Sequence, residues 1–472
     1  MVFSSATFLI IFLPLTMVLY YLVGVLITKS TAVKNLILLV ASLIFYAWGE
    51  PIYIILMLIS ICFNFVIGKD IDQSKRMNNR RKAKMLFVSA IVFNLAVLGF
   101  FKYFNFLLEN IANVTGAGIK PLNLALPVGI SFYTFQIMSY IIDLYKGNIR
   151  AQRRLLNFAL YVSLFPQLIA GPIVKYKDIA DQLMYRKENW LTYSKGLNRF
   201  VFGLSKKLIL ANTLGSVYAA VQEAGCDNMS VLTAWIGIIC YTLQIYFDFS
   251  GYSDMAIGLG GIFGFSFCEN FNYPYIATSV TDFWRRWHMS LSSWFRDYVY
   301  IPLGGNRCAV PRVILNLLIV WLLTGFWHGA SWNFILWGVY YGILLILEKY
   351  VLAGLIKKVP VILKWLVTMI CVMVGWVLFS APTLEVAIAY IAAMFGYAVS
   401  FVDSYGVFIL FTNFALLVIA GLCATPLYMS LSGMLGGKKF SKVMLAVTPL
   451  LFLLCIIFMI SETYNPFLYF RF

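Results

Sequence analysis

Two histidines occur in this chain of 472 residues, and both sit among tryptophans in apolar sequence. His288 lies in FWRRWHMSLSSWFRDYVYIPLGG (283–305) and His328 in WLLTGFWHGASWNFILWG (321–338), 40 residues further on. Imidazole is the side chain that exchanges a proton near neutral pH. A chain that is 62% hydrophobic and keeps two such groups beside Trp, Ser and Gly points to one reaction centre. A metal site is the rival use of two histidines. It would need further ligands, and the sequence has no H-E-x-x-H and no carboxylate cluster; Asp248 and Asp254 in YFDFSGYSD (246–254) are only distant candidates. No metal and no bound cofactor are therefore expected.

His328 follows Trp327 inside a long apolar run, which implies a position near mid-depth of a membrane and facing protein. An ionisable residue in such a place is costly, and is read as functional by default. As a general base it would take the proton of a hydroxyl nucleophile. Ser331 and Asn333 stand close enough in sequence to orient it or to help stabilise an oxyanion. For His288 two readings stay open. On one helix Trp284, His288 and Ser292 would share a face at i, i+4 and i+8, while Arg285 would face elsewhere and Asp282 would pair with Arg286. That face is either part of an active site, with the arginines drawing in an anionic donor, or an interfacial aromatic belt with snorkelling arginines.

Further polar residues interrupt apolar stretches at 126–147, 164–176 and 243–260. Gln136, Asp143, Gln167, Gln244, Asp248 and Asp254 either line a substrate tunnel or supply hydrogen bonds between helices. The terminal YNPFLYFRF (464–472) reads as an interfacial anchor, or as a device that presents the Tyr469 hydroxyl as a transient acyl carrier.

The elements that must position these residues are helices in lipid. Charged residues make up 12% of the chain and the mean hydropathy is +0.86. Apolar runs approach the length of about 20 residues that a spanning helix needs. About 11 spans are expected, with short re-entrant or buried helices, in a single domain over residues 1–472. The net charge of +17 does not imply nucleic acid, because the basic residues fall in short loops such as Lys75–Lys84, Arg150–Arg154, Arg186–Lys187 and Gly437–Lys442. That is the positive-inside pattern, and it places those loops in the cytoplasm. The first apolar run lacks a basic leader and a small-residue cleavage site, so it is expected to be a retained helix. The segment from Asn270 to Arg312 is too charged for lipid and too aromatic for a free loop. It is expected to be amphipathic helical material in a protein-lined funnel open to the cytoplasm. Eight scattered cysteines support neither a disulfide framework nor a zinc site.

The chain resembles the membrane-bound O-acyltransferase (MBOAT) family, in its bacterial branch of alginate (AlgI-like) and peptidoglycan O-acetyltransferases. The resemblance runs end to end, through NLILLVASLIFYAWGEP (35–51), LPVGISFYTFQ (126–136), FPQLIAGPIV (165–174), DFSGYSDMAIG (248–258), NFNYPY (270–275) and the two histidine segments. It implies a bundle of transmembrane helices around a tunnel in a bacterial inner membrane, with His328 at the position of the family's catalytic residue and His288 at that of its second active-site residue. It further implies acetyl-CoA as donor, an extracytoplasmic SGNH- or AlgJ/AlgX-like partner and an envelope polysaccharide as final acceptor. A related D-alanyl transfer protein works with a partner peptide ending in a similar aromatic, tyrosine-bearing motif, which bears on Tyr469. The alternatives are an acyltransferase for lipid or protein acceptors, and a transporter of a polysaccharide or lipid-linked precursor; the lack of an internal repeat weighs against the second.

Overall fold

The computed structural model describes residues 1–461 apart from 119, 123, 226–228 and 436. The described residues form helices and connecting segments, without a strand. They pack as two compact units, Met1–Phe200 with Ser253–Cys268, and Val201–Tyr252 with Glu269–Phe472.

In the first unit, α1 (Thr7–Ile27), α2 (Thr31–Gly49), α3 (Tyr53–Arg76) and α4 (Arg80–Thr115) are long and apolar enough to cross a membrane. At about 1.5 Å per residue, the 36 residues of α4 exceed a bilayer core, and its basic start is capped where Asn79 Oδ1 accepts the Lys82 N–H at 3.0 Å. Asn64 and Asn94 exchange amide hydrogen bonds at 3.2 and 2.7 Å between α3 and α4, the polar pairing that lipid-embedded helices use in place of hydrophobic contrast. The shorter α5 (Ile130–Lys146), α6 (Leu155–Ser163), α7 (Phe165–Leu168), α8 (Tyr176–Ile179) and α9 (Gln182–Tyr185) follow, and α5 to α7 are almost wholly buried. These are the short buried helices expected from the sequence.

Two long helices, α10 (Trp190–Ser205, continuing by a π-helical turn into α11, Asn212–Glu223) and α12 (Val231–Ile262), pass through the unit boundaries. In the first unit they cross at glycines. A Cβ on Gly196 would stand 2.6 Å from the Gly258 carbonyl oxygen, so the crossing admits no side chain.

The second unit adds α13 (Val280–Arg286), α14 (Met289–Phe295), α15 (Val310–His328), α16 (Trp332–Tyr350), α17 (Ala353–Lys358), α18 (Val361–Ser380), α19 (Leu384–Met394), α20 (Ser404–Cys423), α21 (Leu427–Leu435) and α22 (Gly437–Ser461). Among the described residues nine helices meet the length and apolarity of a span, against the eleven expected. The apolar run 313–347 is not one segment but the hairpin of α15 and α16. The run 199–221 carries Lys206 and Lys207 at its centre, and Lys207 pairs with Asp248 at 2.6 Å with both side chains only 3% exposed. Arg186, expected to be a loop charge facing the cytoplasm, is buried: its Nε donates to Tyr20 Oη at 2.9 Å and its Nη1 to Asn35 Oδ1 at 2.5 Å.

Candidate active site

His288 sits between α13 and α14, outside the candidate spans. Trp287 is extended and His288 is left-handed, with φ +44° and ψ +53°. A non-glycine residue held there costs about 1–3 kcal/mol, so the surroundings must enforce it. They do so through Asn270–Asn272. The Asn272 N–H donates to Arg286 O at 2.9 Å, and the Met289 N–H donates to Asn270 O at 2.9 Å. The Asn270 side-chain oxygen then accepts the Ser290 N–H at 3.2 Å and the Ser290 hydroxyl at 2.8 Å. A backbone N–H can only donate, so that contact orients the amide and makes its oxygen the atom facing His288 Nδ1 at 3.1 Å. Nδ1 therefore carries the proton, and Nε2 carries the lone pair. Burial also holds the imidazole neutral, pushing its pKa from 6.5 down to about 3.

This geometry corrects the single helix face expected for Trp284, His288 and Ser292. The helix breaks at 287–288 because two rungs of hydrogen bonds to residues 270–272 replace the helical ones. Ser292 and Arg285 are exposed, whereas Trp284 is buried. The expected Arg286–Asp282 pair does form, at 2.9 Å.

His328 is the last residue of α15, so the structure moves it from the middle of an apolar run to the bend of a helical hairpin. The hairpin is closed by glycine. A Cβ on Gly338 would lie 2.3 Å from Trp321 O, so only glycine there permits the backbone contact of α15 and α16. His328 is 5% exposed and is enclosed by aromatic faces, with ring centroids 5.0 Å from Trp327, 5.1 Å from Trp337 and 5.2 Å from Phe379, all nearly perpendicular to the imidazole. Trp327 also lies 5.9 Å from the His288 ring, so one buried indole touches both histidines. Trp284 joins the same aromatic group through Trp337 at 5.5 Å and Trp321 at 4.7 Å. The indole N–H groups of Trp284 and Trp337 are buried without an acceptor among the described residues.

The remaining predicted residues divide. Asn333 donates its amide to Ala381 O at 2.8 Å, tying α16 to the end of α18. Ser331 precedes α16 in extended backbone, and its side chain makes no capping bond. Gln244 and Asp248 lie on the buried part of α12, where Asp248 serves the Lys207 ion pair. Gln136 belongs to the first unit and is fully buried, with neither end of its side-chain amide bonded among the described residues. Tyr469 lies outside the described residues. Among the described residues no group of three or more His, Cys, Asp or Glu could hold a metal.

The sequence did not single out Asn270 and Trp337, which contact the two histidines, or Lys207, the partner of the predicted Asp248. Lys207 had a signal, because one lysine and one aspartate in two apolar helices must find each other. Asn270 and Trp337 had none, since their roles depend on what folds against them.

The profile of the family described as MBOAT, membrane-bound O-acyltransferase, matches residues 148–391. The chain is 44% identical over 401 residues to the probable alginate O-acetylase AlgI of Pseudomonas aeruginosa, covering 84% of this chain and 75% of that protein. It is 40% identical to AlgI of Pseudomonas putida over the whole of both chains. It is 36% identical to the peptidoglycan O-acetyltransferase of Helicobacter pylori, covering 84% of this chain and 80% of that one.

Proposed function

This chain belongs to the membrane-bound O-acyltransferase family, and from that premise we propose that it takes an acetyl group from acetyl-CoA in the cytoplasm for O-acetylation of an envelope or extracellular polysaccharide. It is a polytopic membrane acyltransferase, and the membrane proposed for it is the bacterial inner one. The names of its relatives, alginate O-acetylase and peptidoglycan O-acetyltransferase, support a polysaccharide acceptor.

One observation carries the mechanism: a single buried indole touches two imidazoles held in different ways. His328 accepts the proton of the acceptor hydroxyl as that oxygen bonds to the thioester carbonyl carbon. The carbon–sulfur bond then breaks, and the departing thiolate takes the proton from the His328 imidazolium, which leaves an ester and free CoA. The imidazolium forms at the C-terminal end of α15, where helix carbonyls favour positive charge. His288 presents a lone pair at Nε2, which suits it to accept from the hydroxyl and aim it; donation to an oxyanion falls instead to a group with a proton to give. The buried Trp337 N–H, on a ring in contact with His328, is such a group. Exposed Arg285 and the basic residues after it are the groups that would attract the phosphates of CoA. The hydroxyl belongs to the polymer, to an SGNH- or AlgJ/AlgX-like partner, or to Tyr469.

The test is to offer the purified protein in lipid nanodiscs acetyl-CoA and palmitoyl-CoA, measure thiol release, and map any adduct. Release with acetyl-CoA and not with palmitoyl-CoA is expected. Preference for palmitoyl-CoA would move the reading to a lipid or protein acceptor, and consumption of neither would remove the donor assignment.

A further inference from the structure

The first unit contains a cavity of about 770 Å³ that has no part in the chemistry above. That volume falls within the roughly 300–1,000 Å³ typical of small-molecule sites. Arg76, Arg150, Arg153, Arg154 and Lys177 line it, with Asp181 as the one carboxylate in its wall. Arg76 is engaged by Asp72 at 2.8 Å. No ion pair forms to Arg150, Arg153, Arg154 or Lys177 among the described residues.

The three arginines are displayed by a built element. After α5 and its cap Gly147, residues 148–154 form a strap that is neither helix nor strand, bent at 148–149 and extended at Arg154. Asn148 fastens its start, its side chain donating to Asp143 Oδ1 at 3.0 Å. Gln152, 6% exposed, fastens its middle: its N–H donates to Tyr140 Oη at 3.1 Å, its Nε2 donates to Tyr176 Oη at 2.9 Å, and its Oε1 accepts the Arg154 N–H at 3.0 Å. With Gln152 turned in, Arg150, Arg153 and Arg154 are left exposed around the cavity. Arginine forks bind phosphate oxygens in pairs. The same wall includes Thr31 and Ala32 at the start of α2 and Arg76 at the end of α3, so the cavity lies at the ends of two candidate spans. Met184 and Tyr185, 42% and 79% exposed, add an apolar shelf to the charged wall.

We propose that this cavity binds the phosphate of a phosphoester ligand, with an anionic phospholipid headgroup as the source that its location and apolar shelf favour over a soluble phosphoester. The site is independent of the acetyl-transfer reading.

The experiment compares the full chain with two variants in phosphatidylcholine nanodiscs doped with phosphatidylglycerol, scoring retained lipid by native mass spectrometry. One variant is R150Q/R153Q/R154Q. The other, R80Q/R81Q/K82Q, removes as many exposed charges outside the cavity. The cavity variant should retain roughly tenfold less phosphatidylglycerol, with the control unchanged. If lipid retention is equal but pyrophosphate raises the melting temperature of the wild type and not of the cavity variant, the phosphate belongs to a soluble ester. Equal loss in both variants, or no difference in either assay, would overturn the proposal. Matching elution and circular dichroism establish folding, and R150K/R153K/R154K should recover much of the binding.

Discussion

Both histidines pack against aromatic rings, Phe249 standing 4.7 Å from His288, but His288 sits between two short helices with its ring anchored on Asn270, whereas His328 ends a long helix. The first has its tautomer set by Asn270 and its ionisation suppressed by burial. The second meets three aromatic rings at the C-terminal turn of α15, where a transient positive charge is favoured. In the proposed mechanism two identical side chains beside one tryptophan take different tasks: His288 keeps a fixed lone pair, and His328 is the base.

The comparison can be broken by mutation. His328→Ala should cost roughly 10²–10⁴ in transfer rate while the protein still elutes and melts as a folded species. CoA release at a near-normal rate in that variant would remove the base from its place. A smaller loss, on the order of tenfold, is expected of Asn270→Ala, because the Nδ1 proton loses its acceptor. Asn270→Asp, which keeps an oxygen there, should recover part of the rate. A merely structural role for Asn270 would instead lower the melting temperature of both variants and make activity follow the folded fraction, with no rescue of rate by Asp at equal stability.

The pH dependence sharpens the same contrast. With its folded pKa near 3, His288 stays neutral throughout the working range, so any acid limb in the rate between pH 5 and 8 should vanish in His328 variants and persist in His288→Gln. For stability the sign is opposite to that of a salt-bridged histidine. Between about pH 6.5 and 3 the unfolded chain binds a proton that folded His288 does not, so stability falls progressively as pH drops through that window. His288→Gln should flatten that slope in an acid titration followed by tryptophan fluorescence. The least direct effect on chemistry is expected from Gly338→Ala. Its Cβ would meet Trp321 O at 2.3 Å, costing about 1–3 kcal/mol of stability, and activity should fall only as far as the folded fraction does.

Much of the architecture was legible in advance. The apolar runs became helices, the segment after Asn270 became short amphipathic helices, and both histidines proved to be buried. Two of the points misjudged were breaks. Periodicity carried a helix straight through His288, because the residues that interrupt it, 270–272, act from a distance by offering better hydrogen bonds. Hydropathy ran α15 and α16 together, because an apolar hairpin and a long apolar helix have the same composition; the bend rests on Gly329–Ser331 and on glycines that let the two helices touch.

By itself, the sequence determined that this is a helical membrane protein whose two histidines stand in apolar, tryptophan-rich surroundings, since hydrophobic length and the scarcity of ionisable residues in apolar runs are local properties. Its motifs also determined the family. Only the tertiary structure decided which nitrogen of His288 bears the proton, that Trp327 lies against both histidines, and that the arginines of the 148–154 strap share a cavity with Arg76 and Lys177. Those outcomes depend on partners far apart in the chain, whose meeting is set by packing rather than by any neighbouring residue.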